Sequence, residues 1–148
     1  MQDFHYKSSP VDVYFGLGKS AEVKDLLFKQ GYRRVLVITT PGQEKVAHNL
    51  LNKLNDIAIG VYPHAVMHVP VEIVDEAIEF VKLNDVDCCL ALGGGSTIGL
   101  AKAIALQTHL PIVAIPTTYA GSEMTTIYGM TENHLKITGK HNSVLPTI

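Results

Sequence analysis

Three consecutive glycines, Gly93, Gly94 and Gly95, followed by Ser96 and Thr97, carry the clearest chemical signal in the sequence. They separate an apolar run from a segment with helical periodicity. Glycine lets the backbone approach a ligand closely, and the first amides of the following helix have no intrahelical partners. A phosphate group there would meet those amides, two hydroxyls and the positive end of the helix dipole. The alternative is a flexible turn in which a hydroxyl caps the helix.

A second polar segment follows the apolar run 112–115. It contains Thr117, Thr118, Tyr119 and Ser122. It leaves the carboxyl end of a predicted parallel strand, which is the edge where open α/β sheets place their ligands. We therefore expect its hydroxyls to contact a cofactor. A turn in which Thr and Ser satisfy their own backbone is the alternative, and both descriptions can hold together.

The segment 16–21 has the spacing of a second nucleotide motif, G-x-G-x-x-A. The acidic residue that should end the next strand is missing, since Thr39 and Thr40 stand there. The same segment ends like a P-loop, but Val13 occupies the place of the first glycine of that motif. The sequence therefore favours a glycine turn that begins the first helix.

These segments lie within a repeated alternation of strands and helices. Apolar runs predict strands over 11–15, 35–38, 57–62, 88–92 and 112–115, with amphipathic helices between them. Thr40, Pro41 and Gln43 fit a capping box after the second strand. The pattern predicts a Rossmann-like parallel sheet flanked by helices. Irregular structure or a hairpin is expected after Pro116, and an interrupted strand over 144–148.

Composition excludes several classes of protein. The 148 residues are 47% hydrophobic and 18% charged, which suits one globular domain over 1–148. A formal charge of -2 provides no basic field for nucleic acid, and no apolar run is long enough to cross a membrane. The segment 1–10 lacks the apolar core of an export signal, so we expect a cytoplasmic protein.

Cysteine and histidine give weaker signals. Cys88 and Cys89 are neighbours on a predicted strand and point to opposite faces, so we expect buried thiols; a reactive pair is the alternative. His64 and His68 are four residues apart, but they lie on a predicted connection with no carboxylate to complete a metal site. We predict no metal ligands in this chain, and the sequence assigns no catalytic residue.

The sequence resembles the iron-containing alcohol dehydrogenase superfamily, which shares the dehydroquinate synthase-like fold. The resemblance rests on Gly93-Gly94-Gly95-Ser96, Pro116-Thr117-Thr118 and Gly121-Ser122-Glu123. Within the superfamily, the runs 91–106 and 115–125 look like the maleylacetate reductases. The specific feature is the short loop 117–123, because the alcohol dehydrogenases usually carry one more residue there.

The resemblance implies hydride transfer from NADH or NADPH to the carbon–carbon double bond of maleylacetate, giving 3-oxoadipate in the breakdown of aromatic compounds. It implies that Gly94, Gly95 and Ser96 hold the pyrophosphate, and that Lys136 lies near the nicotinamide ribose. Thr40 takes the place of an acidic residue on the adenine ribose, so both nucleotides should be accepted. The other implied cofactor-binding residues are Pro41, Gly93, Thr97, Thr117, Thr118, Tyr119 and Ser122.

Members of the family are much longer, with a helical C-terminal domain that is absent from this chain. That domain supplies the metal ligands and most of the substrate pocket, and the full-length proteins are expected to be homodimers. The resemblance therefore implies the cofactor-binding part of a maleylacetate reductase, with the small molecule maleylacetate as substrate. The alternatives are an iron-type alcohol or glycerol dehydrogenase, or a nucleotide-binding module without chemistry of its own.

Overall fold

A parallel sheet of four strands forms the centre of the fold. A computed structural model describes residues 10–148, so the segment 1–9, part of the region predicted to lack an export signal, lies outside the described residues. The strand order is β2-β1-β3-β4, where the strands are β1 (Val35–Ile38), β2 (Ala58–Tyr62), β3 (Cys88–Gly93) and β4 (Ile112–Pro116). β1 and β3 are buried along their whole length, as continuous apolar runs predict. The expected fold class is confirmed.

Four α-helices cover the two faces of this sheet: α1 (Val23–Lys29), α2 (Glu44–Leu54), α3 (Val71–Leu83) and α4 (Gly95–Thr108). Successive side chains of a strand point to opposite faces. Leu36 and Ile38 accordingly pack with α3 and α4, while Val35 and Val37 pack with α1 and α2. Among residues 10–148, no helix has the length and apolar character needed to cross a membrane.

An antiparallel hairpin follows the sheet, and a hairpin was one of the two structures expected after Pro116, beside irregular structure. Its strands are β5 (Ile127–Glu132) and β6 (Leu135–Lys140). Asn133 and His134 connect them with φ angles of 47° and 64°, which is the backbone of a tight two-residue hairpin turn. β5 packs against α4, so the hairpin flanks the start of that helix.

The prediction of a strand over 11–15 is wrong. The free edge of β4 is occupied instead by the end of the chain, where the Thr147 amide donates to the Ile112 carbonyl at 2.9 Å and the Ala114 amide donates to the Ile148 carbonyl at 2.7 Å. With that edge taken, the segment is held within residues 10–148 by the Asp12 amide, which donates to the Thr147 carbonyl at 3.2 Å. Phe15 is 94% exposed, so the apolar residues of this segment do not face a core.

The glycine turn predicted before the first helix is confirmed. Gly16 and Gly18 have φ angles of 153° and 77°, values that residues other than glycine rarely adopt. A single 3-10 turn, Lys19–Glu22, follows them and leads into α1.

Candidate functional site

The order of the strands creates a crevice at one edge of the sheet. β1 lies between β2, the next strand in sequence, and β3, so the connections leaving β1 and β3 run to opposite sides. Ligands of open α/β sheets bind at such a switch point, outside the carboxyl ends of the strands. Thr40 and Pro41 leave β1 here, and Gly93 ends β3. The buried Thr39 hydroxyl donates to the Leu92 carbonyl at 2.9 Å and ties the two strand ends together.

The turn from β3 into α4 is closely packed from within. At Gly93, where φ is 152°, a Cβ atom would collide with the Thr97 hydroxyl. At Gly94, a Cβ atom would lie 2.9 Å from Thr118 Oγ1. At Gly95, by contrast, it would meet only the Ala120 Cβ, at an ordinary 3.8 Å. Packing therefore requires glycine most clearly at Gly93, beside the buried Thr97 side chain, whereas at Gly94 the exposed Thr118 side chain would have to move and at Gly95 a side chain makes only an ordinary contact.

Helix α4 begins at this turn without a side-chain cap. Its N-cap is Gly94, which has no side chain. The first backbone hydrogen bond of the helix runs from the Ile98 amide to the Gly94 carbonyl at 3.1 Å. The amides of Gly95 and Ser96 thus have no intrahelical acceptors. An anion placed there would receive these donors together with the helix dipole. The Thr97 side chain is fully buried beside Gly93, so it supports the turn from inside.

The loop after β4 is fastened to the same turn. The Thr117 amide donates to the Gly93 carbonyl at 3.0 Å. The Gln43 side-chain amide donates to Thr117 Oγ1 at 3.4 Å, which links the β1 exit to the β4 exit. Gln43 is thus turned away from Thr40, and Thr40 makes no side-chain bond to the helix start. The predicted capping box is wrong because the Gln43 amide finds its partner across the crevice.

One cavity of about 450 Å³ lies between α4, the loop after β4 and the hairpin. The predicted residues Gly95, Ser96, Ser122 and Lys136 all line it. Lys102 lines it as well, and none of the Asp or Glu side chains in the described part of the chain, residues 10–148, belongs to its lining. Two basic side chains, several hydroxyls and a helix amino terminus make this a cavity for an anionic or polyhydroxylated ligand.

The other predicted residues lie elsewhere. Thr117, Thr118 and Tyr119 line a second cavity of about 560 Å³, between the end of β4 and the turn 16–20. The Tyr119 side chain is fully exposed. Thr40 and Pro41 line neither cavity and remain at the switch point. The candidate residues therefore form an arc along the sheet edge rather than a single cluster.

Sequence analysis missed Lys102, Gln43 and Glu123. Lys102 is fully buried in α4, and burial lowers its pKa to about 8, although the Glu123 carboxylate opposes the shift. One Glu123 oxygen is buried without a hydrogen-bond partner among residues 10–148. The available signal for Lys102 was its place between Ala101 and Ala103, as the only charged residue of an otherwise apolar and neutral helix.

The histidines and cysteines serve packing or lie apart. His64 packs edge-on against the Tyr62 ring with 4.9 Å between ring centroids, while His68 lines the first cavity. Within the described range 10–148, no three His, Cys, Asp or Glu side chains are grouped so that they could hold a metal ion. Cys88 and Cys89 are free and buried, and burial raises the pKa of both thiols, that of Cys89 to about 12.

A glycine turn that opens a helix at the switch point of a parallel sheet is typical of nucleotide-binding α/β proteins, and the comparison with known families places the chain among the oxidoreductases. The family model "Iron-containing alcohol dehydrogenase" matches residues 10–148, and the chain belongs to this family. Within it the chain is similar to the maleylacetate reductases: it is 45% identical to maleylacetate reductase of Rhizobium sp. (strain MTP-10005) over 148 residues, which is 100% of this chain and 42% of that protein.

Solved structures share the fold along nearly the whole chain. The crystal structure of maleylacetate reductase from Agrobacterium tumefaciens superposes with a TM-score of 0.94 at 45% identity, covering 99% of this chain and 42% of that one. Sulfoacetaldehyde reductase from Bifidobacterium kashiwanohense, solved in complex with NAD+, superposes with a TM-score of 0.88 at 26% identity, covering 99% and 45%. The chain thus spans about two-fifths of the length of the maleylacetate reductases it matches.

Proposed function

We propose that this chain is the dinucleotide-binding domain of an NAD(P)H-dependent maleylacetate reductase, with the small molecule maleylacetate as substrate. The observation that carries the proposal is the uncapped start of α4 at the switch point, lined by Gly95 and Ser96 and faced by Ser122 and Lys136. Similarity to maleylacetate reductases over the whole chain supports the choice of substrate. The NAD+ complex of the more distant sulfoacetaldehyde reductase supports a nicotinamide cofactor.

Each part of the cofactor has a candidate partner in the arc of residues. The pyrophosphate lies against Gly94, Gly95 and Ser96, because the amides of Gly95 and Ser96 lack intrahelical acceptors. Lys136 and Ser122 line the adjoining cavity and hold the nicotinamide ribose. Thr117 and Thr118 orient the nucleotide from the second cavity, and Thr40 at the β1 exit takes the adenine ribose. A bound reduced nicotinamide supplies the hydride.

No group of side chains in residues 10–148 fits an iron ion, so we assign no step of the reaction to a metal. We also expect this chain by itself to bind nucleotide without reducing substrate. The chain spans 42% of the matched reductase, and hydride transfer requires that two reactants be held in one geometry.

Gly95→Val tests the phosphate site. The added side chain fits the fold, because the nearest atom to its Cβ is 3.8 Å away, but it projects beside the cavity where the pyrophosphate would lie. We expect the affinity for NADH to fall by at least about tenfold, measured by calorimetry, with an unchanged melting temperature. The matched control is Gly60→Val on β2, where a Cβ atom has no neighbour within 4 Å.

Turnover distinguishes the candidates. NADH oxidation is followed with maleylacetate and with simple aldehydes, using this chain and the full-length protein. Reduction of maleylacetate by the full-length protein supports the proposal, and preference for aldehydes supports an alcohol dehydrogenase. Nucleotide binding that Gly95→Val does not weaken would overturn the assignment of the phosphate site.

A further inference from the structure

Lys102 is the one charged side chain of α4, and it is completely buried. Lysine is almost never fully buried unless its ammonium has partners. Here Lys102 Nζ donates to the Thr125 carbonyl at 2.7 Å, to the Ile127 carbonyl at 2.7 Å and to Thr125 Oγ1 at 3.2 Å. All three acceptors belong to the segment that enters β5. The ammonium therefore joins two elements that are far apart in sequence.

That segment holds the loop that faces the start of α4. Thr125 donates to the Ser122 carbonyl from both its amide and its hydroxyl, each at 3.3 Å, and the Met124 amide donates to the Gly121 carbonyl at 3.1 Å. Gly121 has a φ of 75°, which turns the chain sharply toward α4. A continuous chain of hydrogen bonds thus runs from Lys102 through Thr125 to the turn at Gly121 and Ser122.

Lys102 shares one side of α4 with the residues that line the first cavity. Gly95, Ser96, Gly99 and Lys102 all line it, as residues three or four positions apart on a helix do. The first three have no side chain or a short one, so they leave the space open. Lys102 spans that space at its far end and bonds to its opposite wall.

The bonding partners fit a structural tether better than an ion pair. They are two carbonyl oxygens and a hydroxyl, while the Glu123 carboxylate acts on Lys102 only from a distance. Bonds from a charged donor to carbonyl oxygens are stronger than those between neutral groups. An apolar side chain would fill the volume, but it would remove the ammonium that binds the Thr125 and Ile127 carbonyl groups.

We infer that Lys102 is a positioning residue of the nucleotide site: its ammonium fixes the segment 122–127 on α4 and so sets the width of the cavity between Ser96 and Ser122. Lys102 acts through the loop and touches no reacting atom. This inference rests on the proposed function for its effect on nucleotide affinity, whereas its effect on the loop is independent of any ligand.

Lys102→Met tests it. We expect the dissociation constant for NADH to rise at least about tenfold, and the backbone amides of 124–127 to exchange with solvent at least about tenfold faster than in the original chain. Thr125→Val is a milder variant, which removes one hydroxyl from the chain of bonds and should weaken NADH binding by a smaller factor. It keeps the test open if Lys102→Met does not fold.

The matched control is Ile104→Ala, which removes buried volume from the same helix but touches the sheet side of the core. It should lower the melting temperature and leave both NADH affinity and loop exchange unchanged. Equal NADH affinity and equal loop exchange in Lys102→Met and the original chain would overturn the inference. Absence of NADH binding by the original chain would overturn the proposed function instead, and amide exchange would still decide the role of Lys102.

Discussion

Thr40 stands at the exit of β1, half-buried and uncharged, where the related G-x-G-x-x-G dehydrogenases carry an acidic residue. An acidic residue at this point binds the ribose hydroxyls of NADH and repels the 2'-phosphate of NADPH. Thr40 binds no helix amide, so its hydroxyl is available to a ligand. Under the proposed function, the charge at this single position should therefore influence the choice between the two nucleotides.

Thr40→Asp should separate the two nucleotides. We expect the affinity for NADPH to fall by about tenfold or more, equivalent to about 1.4 kcal/mol, because the new carboxylate faces the 2'-phosphate. NADH affinity should be retained or improved. Calorimetric titration with each nucleotide measures the ratio, and the neutral Thr40→Asn variant serves as the control for size. A fall in both affinities by equal factors would contradict the placement of the adenine ribose at Thr40.

At this scale, the sequence predicted the glycine turn better than the side-chain contacts around it. The glycines of the turn between β3 and α4 can be recognised in the sequence because residues with a side chain rarely accept such close packing and such φ angles. Gln43 was predicted as a capping residue from its neighbours in sequence, and Lys102 was not assigned to the site at all. Their partners, Thr117 and Thr125, are 74 and 23 residues away in the chain, and only the fold brings them together.

Among the structural elements, the turn between β3 and α4 combines two different demands on glycine. Gly93 and Gly94 are constrained by side chains beneath them, while Gly95 faces the cavity. We therefore expect substitutions at the first pair to lower stability, and a substitution at the third to weaken binding at the proposed phosphate site. Substitutions at neighbouring positions in one short motif should have distinct consequences.

Gly93→Ala should destabilise the fold. The new Cβ atom would collide with the Thr97 side chain, and φ is 152°, so strain and overpacking together should cost at least about 2 kcal/mol. Chemical denaturation measures the free energy of unfolding. Gly42→Ala is the control, because a Cβ atom there has no neighbour within 4 Å. Equal stability of the two variants would show that the turn relaxes without cost.

Prediction of the elements succeeded where the local pattern determines the structure. The strands under both helical layers, β1 and β3, are recognisable because they are apolar without interruption. The prediction of a strand over 11–15 was wrong, because an apolar segment can form a strand of the sheet only where a neighbouring strand has a free edge. Thr147 and Ile148 occupy that edge of β4, a competition that no local pattern reveals.

Across the whole molecule, the sheet separates two apolar layers that share no helix. Helices α3 and α4 form one layer, and α1 and α2 form the other. The candidate cavity and Lys102 belong to the α4 side, while the β1 exit connects to α2. The strands lie between the two layers, so under the proposed function the strand ends at the switch point are where both layers would influence a bound nucleotide.

Chemical labelling of the adjacent thiols of β3 can report the exposure of each layer separately. Cys88 is buried in the α1 and α2 layer and Cys89 in the α3 and α4 layer, and burial raises the pKa of both thiols. Alkylating reagents attack the thiolate, so at pH 8 neither residue should react in the folded chain. Peptide mass spectrometry after pulses of iodoacetamide measures labelling at each position, with denatured chain as the control. Rapid labelling without denaturant would contradict the buried central strand.

The two sulfurs are neighbours in sequence but lie on opposite sides of the sheet. Comparing their labelling rates in one experiment therefore shows the order in which the two sides of the molecule open. Simultaneous labelling would mean that the sheet releases both layers as one cooperative unit. Earlier labelling of one sulfur would identify the layer that detaches first. Protection of Cys89 alone by added NADH would then locate the stabilisation given by the nucleotide in the layer that contains α4.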